Sequence, residues 1–265
     1  MHPLDEAIDL KLAAPGECIG ATHPAYANMV GPFGGTTAAQ LLQAAWLHPD
    51  RLGEPVALTV NFAAPVADGQ IRFLVRAART NRSTQHWIIE ARQGDETVAT
   101  ATAVFALRRE TWSAGEARMP QGLPPADALE RMQLKGLMPW PQRYDMRFTE
   151  GAFPAVFDEQ EQDHSRSCLW VRDEPARPMD FASLTAMSDS FFPRIYVRRR
   201  RRVPIGTVTL TTSGSRTLVA TYAGDAGYNG SVSPGVTQLV DVANTAPTIT
   251  AVGVTRRAGD AGANS

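Results

Sequence analysis

Hydrophobic positions in the first half of the chain repeat first with a helical period and then with a strand period. After a breaker segment at residues 31–35, apolar residues recur at spacings of three and four, which predicts a helix with one apolar face formed by Ala38, Leu41, Leu42, Ala45 and Trp46. Apolar and other residues then alternate in stretches at 56–62, 71–77, 83–91 and 97–107, as in half-buried strands. One helix followed by four strands predicts a helix wrapped by an antiparallel sheet.

The second half of the chain shows a similar but weaker order of elements. Residues 144–148 alternate as in a strand, and a helix is predicted over residues 180–192, capped by its first aspartate and ended by the proline that follows it. An arginine-rich extended segment at 194–202 then leads to an alternating strand at 207–211. The recurring order is weak evidence for an internal duplication, because no run of identical residues accompanies it.

These patterns divide the chain into four parts. Residues 1–110 form a first folded unit, and the proline-rich residues 111–142 form a connector. A second unit spans residues 143–212. In the tail, residues 213–265, small residues and valine dominate, and short alternating stretches predict a β-rich segment with a frayed end.

Composition excludes several classes of protein. The 265 residues are 43% hydrophobic and 20% charged, with a formal net charge of −1, which excludes a disordered polymer and argues against bulk attraction to nucleic acid. No apolar run is long enough for a membrane span, and no signal peptide is visible, so we expect a cytoplasmic protein. Cys18 and Cys168 have neither the number nor the spacing for a disulfide framework or a metal site, and no metal is expected.

Nine short motifs, in order along the chain, resemble the double hot-dog class of acyl-CoA thioesterase-like proteins (type II thioesterases). The resemblance covers about residues 15–210 and is carried by residues 31–36 (GPFGGT), 58–65 (LTVNFAAP), 79–87 (RTNRSTQHW), 99–103 (ATATA), 140–145 (WPQRYD), 170–173 (WVRD), 177–181 (RPMDF), 189–195 (DSFFPRI) and 203–208 (VPIGTV). It implies an α+β double hot-dog, that is, two helix-wrapped antiparallel sheets in one chain.

The family's final strands are missing here, so the second hot-dog unit is either truncated or completed by a foreign β-rich tail. The segments at 215–225 (SRTLVATYAGD), 228–231 (YNGS) and 236–240 (VTQLV) resemble the closing half of a bacterial immunoglobulin-like repeat. A complete sandwich of that type needs about seven strands, and this segment offers about three.

The resemblance implies an enzyme of lipid metabolism that hydrolyses acyl-CoA to a free acid and coenzyme A. Water would attack directly, without a metal or an organic cofactor. In this class an Asp on the second central helix and a Thr on the next strand hold the attacking water, and Asp189 and Thr207 occupy these two places. A Gln on the last strand completes the family's set. Its position is unassigned here, which leaves open that the altered C-terminus impairs activity.

Other residues are candidates for substrate binding, and each has a structural alternative. The N–H groups of Gly34 and Gly35, at the start of a helix, suit an oxyanion site, or else the glycines form a tight turn. Phe191 and Phe192 either line an acyl channel or belong to the core. The guanidinium groups of Arg198 and Arg199 suit the phosphates of coenzyme A, whereas most basic runs are solvated loops.

Two other functional classes stay open. The protein can be a non-catalytic protein that binds acyl-CoA or an acyl ligand, because the third polar residue is unassigned. The immunoglobulin-like tail would instead suit a surface protein, which requires export. The expected partner is the acyl-CoA substrate rather than nucleic acid, and hot-dog sheets also allow a homo-oligomer.

Overall fold

The computed structural model describes residues 1–110, 112, 120–134, 136 and 138–203, together with the backbone of four strands in the tail. These residues fall into two units. The first lies within Met1–Trp112 and Gln121–Thr207, and the second within Ser113–Pro120 and Val208–Ser265. The division at residues 110, 142 and 212 stays a prediction.

A six-stranded antiparallel sheet dominates the first unit. Its strands are β1 (Lys11–Ala14), β2 (Glu17–Ala21), β3 (Glu54–Phe62), β4 (Gln70–Thr80), β5 (Thr84–Gln93) and β6 (Glu96–Ala106). They are ordered β1-β2-β4-β5-β6-β3 in the sheet, which places β3 at one edge. The four strands expected from the alternating pattern are confirmed as β3 to β6.

The helices of this part are α1 (Pro3–Ala7) and α2 (Gly34–Trp46), with a short 3-10 helix at Pro24–Tyr26. The apolar face of α2 lies against the sheet, where Leu41 and Leu42 share a core with Phe73 of β4 and Trp87 of β5. Burying each large apolar side chain contributes about 1.5–3 kcal/mol, so this face holds the helix on the sheet. The expected hot-dog layer, a helix wrapped by an antiparallel sheet, is therefore present.

The sequence pattern did not show β1 and β2. Both strands are short, and every residue of β1 is exposed, so neither strand carries a repeating apolar face. They form because β2 pairs with β4 over residues 17–21 and β1 then pairs with β2. Strands of this kind depend on their neighbours in the sheet more than on their own residues.

The second half of the described chain contributes a two-stranded sheet and two helices. These are β7 (Tyr144–Glu150), β8 (Cys168–Asp173), α3 (Phe181–Ser188) and α4 (Arg194–Arg199), with 3-10 helices at Ala126–Ala128 and Trp140–Arg143. The strand predicted over 144–148 is confirmed in β7, which pairs with β8 in antiparallel register. The strand predicted at 207–211 lies outside the described residues.

Helices α2 and α3 pack against each other in antiparallel directions. Gly35, near the start of α2, lies against the carbonyl oxygen of Ala186 near the end of α3. At the opposite ends, the rings of Trp46 and Phe181 lie 6.0 Å apart. The two halves of the chain therefore meet along their helices.

Two predictions about residues 180–202 were wrong. The helix starts as predicted, with the Asp180 side chain accepting a hydrogen bond from the Ser183 N–H at 2.8 Å, but it ends at Ser188 rather than at residue 192. The arginine-rich segment is not extended at its start, because residues 194–199 form α4. Pro193 is the N-cap residue of this new helix and does not end α3, which stops at Ser188.

The tail contains strands β9 (Gly214–Leu218), β10 (Thr221–Gly224), β11 (Asn229–Val232) and β12 (Val236–Val240). Among these, β9 pairs with β12 and β10 with β11, both in antiparallel register. The β-rich character expected for the tail is therefore present, whereas its immunoglobulin-like identity stays a prediction.

Within the described ranges, no helix has both the length and the apolar character that a membrane crossing requires.

Candidate active site

Asp189 stands where α3 ends. Its backbone leaves the helix with φ −96° and ψ 8°, and its N–H still donates to the carbonyl oxygen of Ala186 at 3.3 Å. This turn directs the carboxylate to the start of α2, where Oδ2 lies 2.7 Å from the position that a Cβ would take on Gly34. The candidate carboxylate and the candidate glycine pair thus lie next to each other.

The Asp189 carboxylate also caps α2. The N-cap residue of α2, Phe33, makes no side-chain capping hydrogen bond. The N–H of Gly35 instead donates to the carboxylate of Asp189. A negative charge is favoured at this end of a helix, because the backbone dipoles leave partial positive charge on the first N–H groups.

The surroundings of Asp189 make it a stronger base than an ordinary aspartate. The residue keeps an exposed surface, yet surrounding protein displaces much of the water that would stabilise the charge of its carboxylate. This desolvation raises the pKa of Asp189 to about 6, against the opposing effect of the Gly35 N–H. The residue is therefore exposed, while its partly desolvated carboxylate is still mostly ionised at neutral pH.

Gly35 is required by the close approach of α2 and α3. A Cβ at this position would overlap the carbonyl oxygen of Ala186 and the ring of Phe33. The backbone oxygen cannot rotate away as a side chain can, so the helices would have to separate. The alternative considered for this glycine was a tight turn, but Gly35 lies inside α2 and lets this helix approach α3, while the N–H that was the oxyanion candidate is bonded to Asp189.

We expect Gly35→Ala to lower the free energy of unfolding by about 1–3 kcal/mol, the usual range for overpacking. Urea denaturation followed by tryptophan fluorescence measures this change. Gly20→Ala is the matched control, because the nearest atom to its Cβ would be the end of the flexible Leu10 side chain, and we expect a smaller loss. Equal losses in the two variants would contradict the packing described for α2 and α3.

Two neighbours of this site lie in the motifs of the family resemblance but were not among the candidate site residues. Phe62, at the end of β3, places its Cζ 3.1 Å from the Cβ position of Gly34. Ser190 follows Asp189 and is fully buried. Alternation along β3 predicts that Phe62 faces the helix, but only the folded chain shows that it reaches the start of α2.

The adjacent residues Phe191 and Phe192 have different environments. Phe191 is 47% exposed, and the guanidinium carbon of Arg194 lies 5.4 Å from its ring centroid. Phe192 is only 4% exposed and packs against the rings of Trp140 and Phe153. The structure therefore places Phe192 in the core and leaves Phe191 available to a ligand.

The arginine run contacts acidic residues of the segment before β8. Arg198 and Arg199 place their Nε atoms 3.3 and 3.4 Å from the two carboxylate oxygens of Glu161. Arg200 binds both oxygens of Asp158, at 2.6 and 2.8 Å. A phosphate of coenzyme A would have to compete with Glu161 for the two candidate arginines. Thr207, the second candidate catalytic residue, lies outside the described residues.

Comparisons with known proteins agree with the fold described above. The family model of the acyl-CoA thioesterase N-terminal domain matches residues 23–106, and that of the C-terminal domain matches residues 120–221. The chain belongs to the acyl-CoA thioesterase family. The match to the C-terminal thioesterase domain includes Thr207 and continues to residue 221, within the predicted tail.

Solved structures support the hot-dog fold. A conserved protein of unknown function with a hot-dog fold from Alicyclobacillus acidocaldarius is 39% identical, with a TM-score of 0.71, covering 87% of this chain and 84% of that one. A putative thioesterase II from Thermobifida fusca is 19% identical, with a TM-score of 0.63 and 74% of each chain covered.

An acyl-CoA thioesterase II from Mycobacterium marinum is 23% identical, with a TM-score of 0.54, covering 71% of this chain and 68% of that one. At these identities the last two comparisons support the hot-dog fold alone. A search of the curated proteins returned no significant match.

Proposed function

We propose that this protein hydrolyses acyl-CoA thioesters to a free acid and coenzyme A. The observation that carries the proposal is the carboxylate of Asp189, an exposed residue, which lies at the N-terminus of α2 in a chain of the acyl-CoA thioesterase family. A base with a pKa near neutrality suits the deprotonation of water, because it is ionised at working pH and still accepts a proton.

In the proposed reaction, Asp189 holds a water molecule about 3 Å from the thioester carbonyl carbon. The water oxygen bonds to that carbon while its proton passes to the carboxylate. The N-terminal end of α2, at Gly34, stabilises the negative charge that develops on the carbonyl oxygen. The C–S bond then breaks, and the coenzyme A thiolate takes up the proton.

The remaining candidates have supporting roles in this proposal. Thr207 would hold the same water by a hydrogen bond, as the family resemblance implies. Phe191 would contact the acyl chain, because its ring is partly exposed two residues after Asp189. Arg198 and Arg199 would bind the phosphates of coenzyme A only after their ion pairs with Glu161 break.

The direct test is thiol release from a panel of acyl-CoAs of different chain lengths, with binding of each compound measured in parallel. Turnover that exceeds the no-enzyme rate supports the proposal. Binding without turnover would replace it with the non-catalytic, ligand-binding function, and neither binding nor turnover would refute both.

We expect kcat/KM to fall on the acidic side with a midpoint near pH 6. Asp189 acts in its ionised form, burial raises its pKa to about 6, and protonation below that value removes the base. The rate should therefore decrease about tenfold for each pH unit well below the midpoint. The measurement is kcat/KM against pH, which reports the pKa values of the free enzyme. A midpoint near 4, typical of an ordinary aspartate, would contradict the proposed environment of Asp189.

A further inference from the structure

A buried polar cluster lies beneath the start of α2. Tyr144 of β7 and Asp173 of β8 stand directly opposite each other in the strand register. Tyr26 completes the cluster, with its ring centroid 6.3 Å from that of Tyr144. Tyr26, Tyr144 and Asp173 are 0%, 1% and 3% exposed, so bulk solvent does not reach them.

One oxygen of the Asp173 carboxylate is well supplied with partners. Oδ2 accepts a hydrogen bond from the buried hydroxyl of Ser183, and Nη1 of Arg177 lies 3.9 Å from the same oxygen. Burial raises the pKa of Asp173, against the opposing effects of Ser183 and Arg177. The carboxylate is therefore anchored on one side by α3 and the segment that precedes it.

Three other polar atoms of this cluster lack a partner. Within the described residues, no hydrogen bond reaches Oδ1 of Asp173 or the hydroxyl groups of Tyr26 and Tyr144. Leaving a buried polar atom unpaired is costly, and folded proteins satisfy such atoms with protein groups or ordered water. Two hydroxyl groups and one carboxylate oxygen match the two to four polar partners that a buried water molecule needs.

The cluster is coupled to the candidate active site through Phe33. The ring of Phe33 lies 5.9 Å from that of Tyr144, and a Cβ on Gly35 would meet the same Phe33 ring. The charge of Asp189 is also among the causes that raise the pKa of Tyr144, after burial, Tyr26 and Asp173. The Phe33 ring thus lies between Tyr144 and the N-terminal end of α2 that Asp189 caps.

We propose that Tyr26, Tyr144 and Asp173 bind an internal water molecule, and that Tyr144 acts through this network as a positioning residue for Asp189. The positioning role rests on the proposed function, whereas the water site does not. The network would hold the start of α2 in place and favour the ionised Asp189 carboxylate by presenting hydroxyl dipoles toward it.

The experiments below leave the other charged residues around the cluster unsubstituted. Arg177, His2 and Asp180 act on Asp173, and Arg143 and Asp5 act with Arg177 on Tyr26. None of these residues is substituted. A change in the titration of Asp189 between variants therefore reports the hydroxyl that was removed.

The first experiment is a crystal structure of the full chain at a resolution that shows ordered water. We expect a water molecule within hydrogen-bond distance of at least two of the three unpartnered atoms. A dry cluster, or protein groups that pair these atoms directly, would overturn the water site.

The second experiment compares Tyr144→Phe with Tyr196→Phe, which removes a hydroxyl from a ring that contacts Phe153 and Phe157 rather than Tyr26 or Phe33. Carboxyl carbon NMR follows the titration of Asp189 without requiring activity. In Tyr144→Phe we expect the Asp189 midpoint to rise by a few tenths of a unit to about one unit, because a group that favours the charged form is lost. Tyr196→Phe should leave the midpoint in place.

In an active protein, Tyr144→Phe should also lower kcat several-fold near pH 6 with little change in KM. Equal Asp189 midpoints in the two variants would refute the positioning role. If Tyr144→Phe fails to fold, Tyr26→Phe tests the same network by the same titration. If the wild-type protein hydrolyses no acyl-CoA, the proposed function fails, while the crystal structure and the titration still decide this inference.

Discussion

Asp189→Asn should lower acyl-CoA turnover by about 10²–10⁴-fold, the usual cost of losing a general base. The amide keeps the shape of the carboxylate, and its oxygen can still accept the Gly35 N–H, so α2 keeps a cap. What is lost is the negative charge and the ability to take a proton from water. The measurement is thiol release under saturating substrate, with KM determined separately. KM should change little, because the base acts mainly in the transition state.

Asp163→Asn is the matched control for this variant. It makes the same chemical change on a side chain that is 93% exposed, and we expect wild-type turnover. A fall in turnover that is accompanied by loss of the fold in Asp189→Asn would indicate a capping role instead. Wild-type turnover in a folded Asp189→Asn protein would show that another group activates the water.

Regular periodicity explains which elements could be predicted from the sequence. The apolar stripe of α2 and the alternation in β3 to β6 repeat over several turns or residue pairs, so local pattern and tertiary burial agree for most of these residues. Val56 is 52% exposed, because the pairing of β3 with β6 shifts between Pro55 and Ala57. The end of α3 could not be predicted in this way. Residues 189–192 continue an acceptable helical pattern, but the chain leaves the helix at Asp189, whose carboxylate contacts the start of α2. This contact joins residues that are more than 150 positions apart.

The ion-pair partners of the arginine run could not be predicted from the sequence either. The sequence shows a block of positive charge, which is compatible with phosphate binding. The partners of this block, Asp158 and Glu161, precede it by about 40 residues, and no local spacing connects them. Exposed ion pairs of this kind are worth about 0–1 kcal/mol each, so the pairing opposes phosphate binding only weakly.

Tyr144 and Asp173 illustrate what the register of a sheet adds. The alternation of apolar and polar residues predicts that Tyr144 faces inward from β7. No sequence pattern, however, predicts that Tyr144 lies opposite Asp173. The β7–β8 register sets these residues opposite each other, and Ser183 of α3 closes the cluster from the other side. A buried polar network of this kind depends on three elements and becomes visible only after they pack.

Phe192→Ala should lower the free energy of unfolding by about 3–5 kcal/mol, the range for removing a buried aromatic side chain. The ring is 4% exposed and packs against Trp140, Phe148 and Phe153, so its removal leaves a cavity that rigid neighbouring rings cannot fill. Phe191→Ala changes the neighbouring residue, whose ring is 47% exposed, and should cost about 1 kcal/mol or less. Urea denaturation of both variants, followed by circular dichroism, gives the comparison.

The same pair of variants separates core packing from acyl binding. If Phe191 contacts the acyl chain, Phe191→Ala should raise KM for long-chain acyl-CoAs in a protein that remains folded, because apolar contact with the ligand is lost. Phe192→Ala should leave KM unchanged in the folded fraction and lower turnover only as far as it unfolds the chain. Similar stability losses in the two variants would contradict the environments described for the two rings. An increase in KM confined to a folded Phe192→Ala protein would assign the acyl contact to the buried ring.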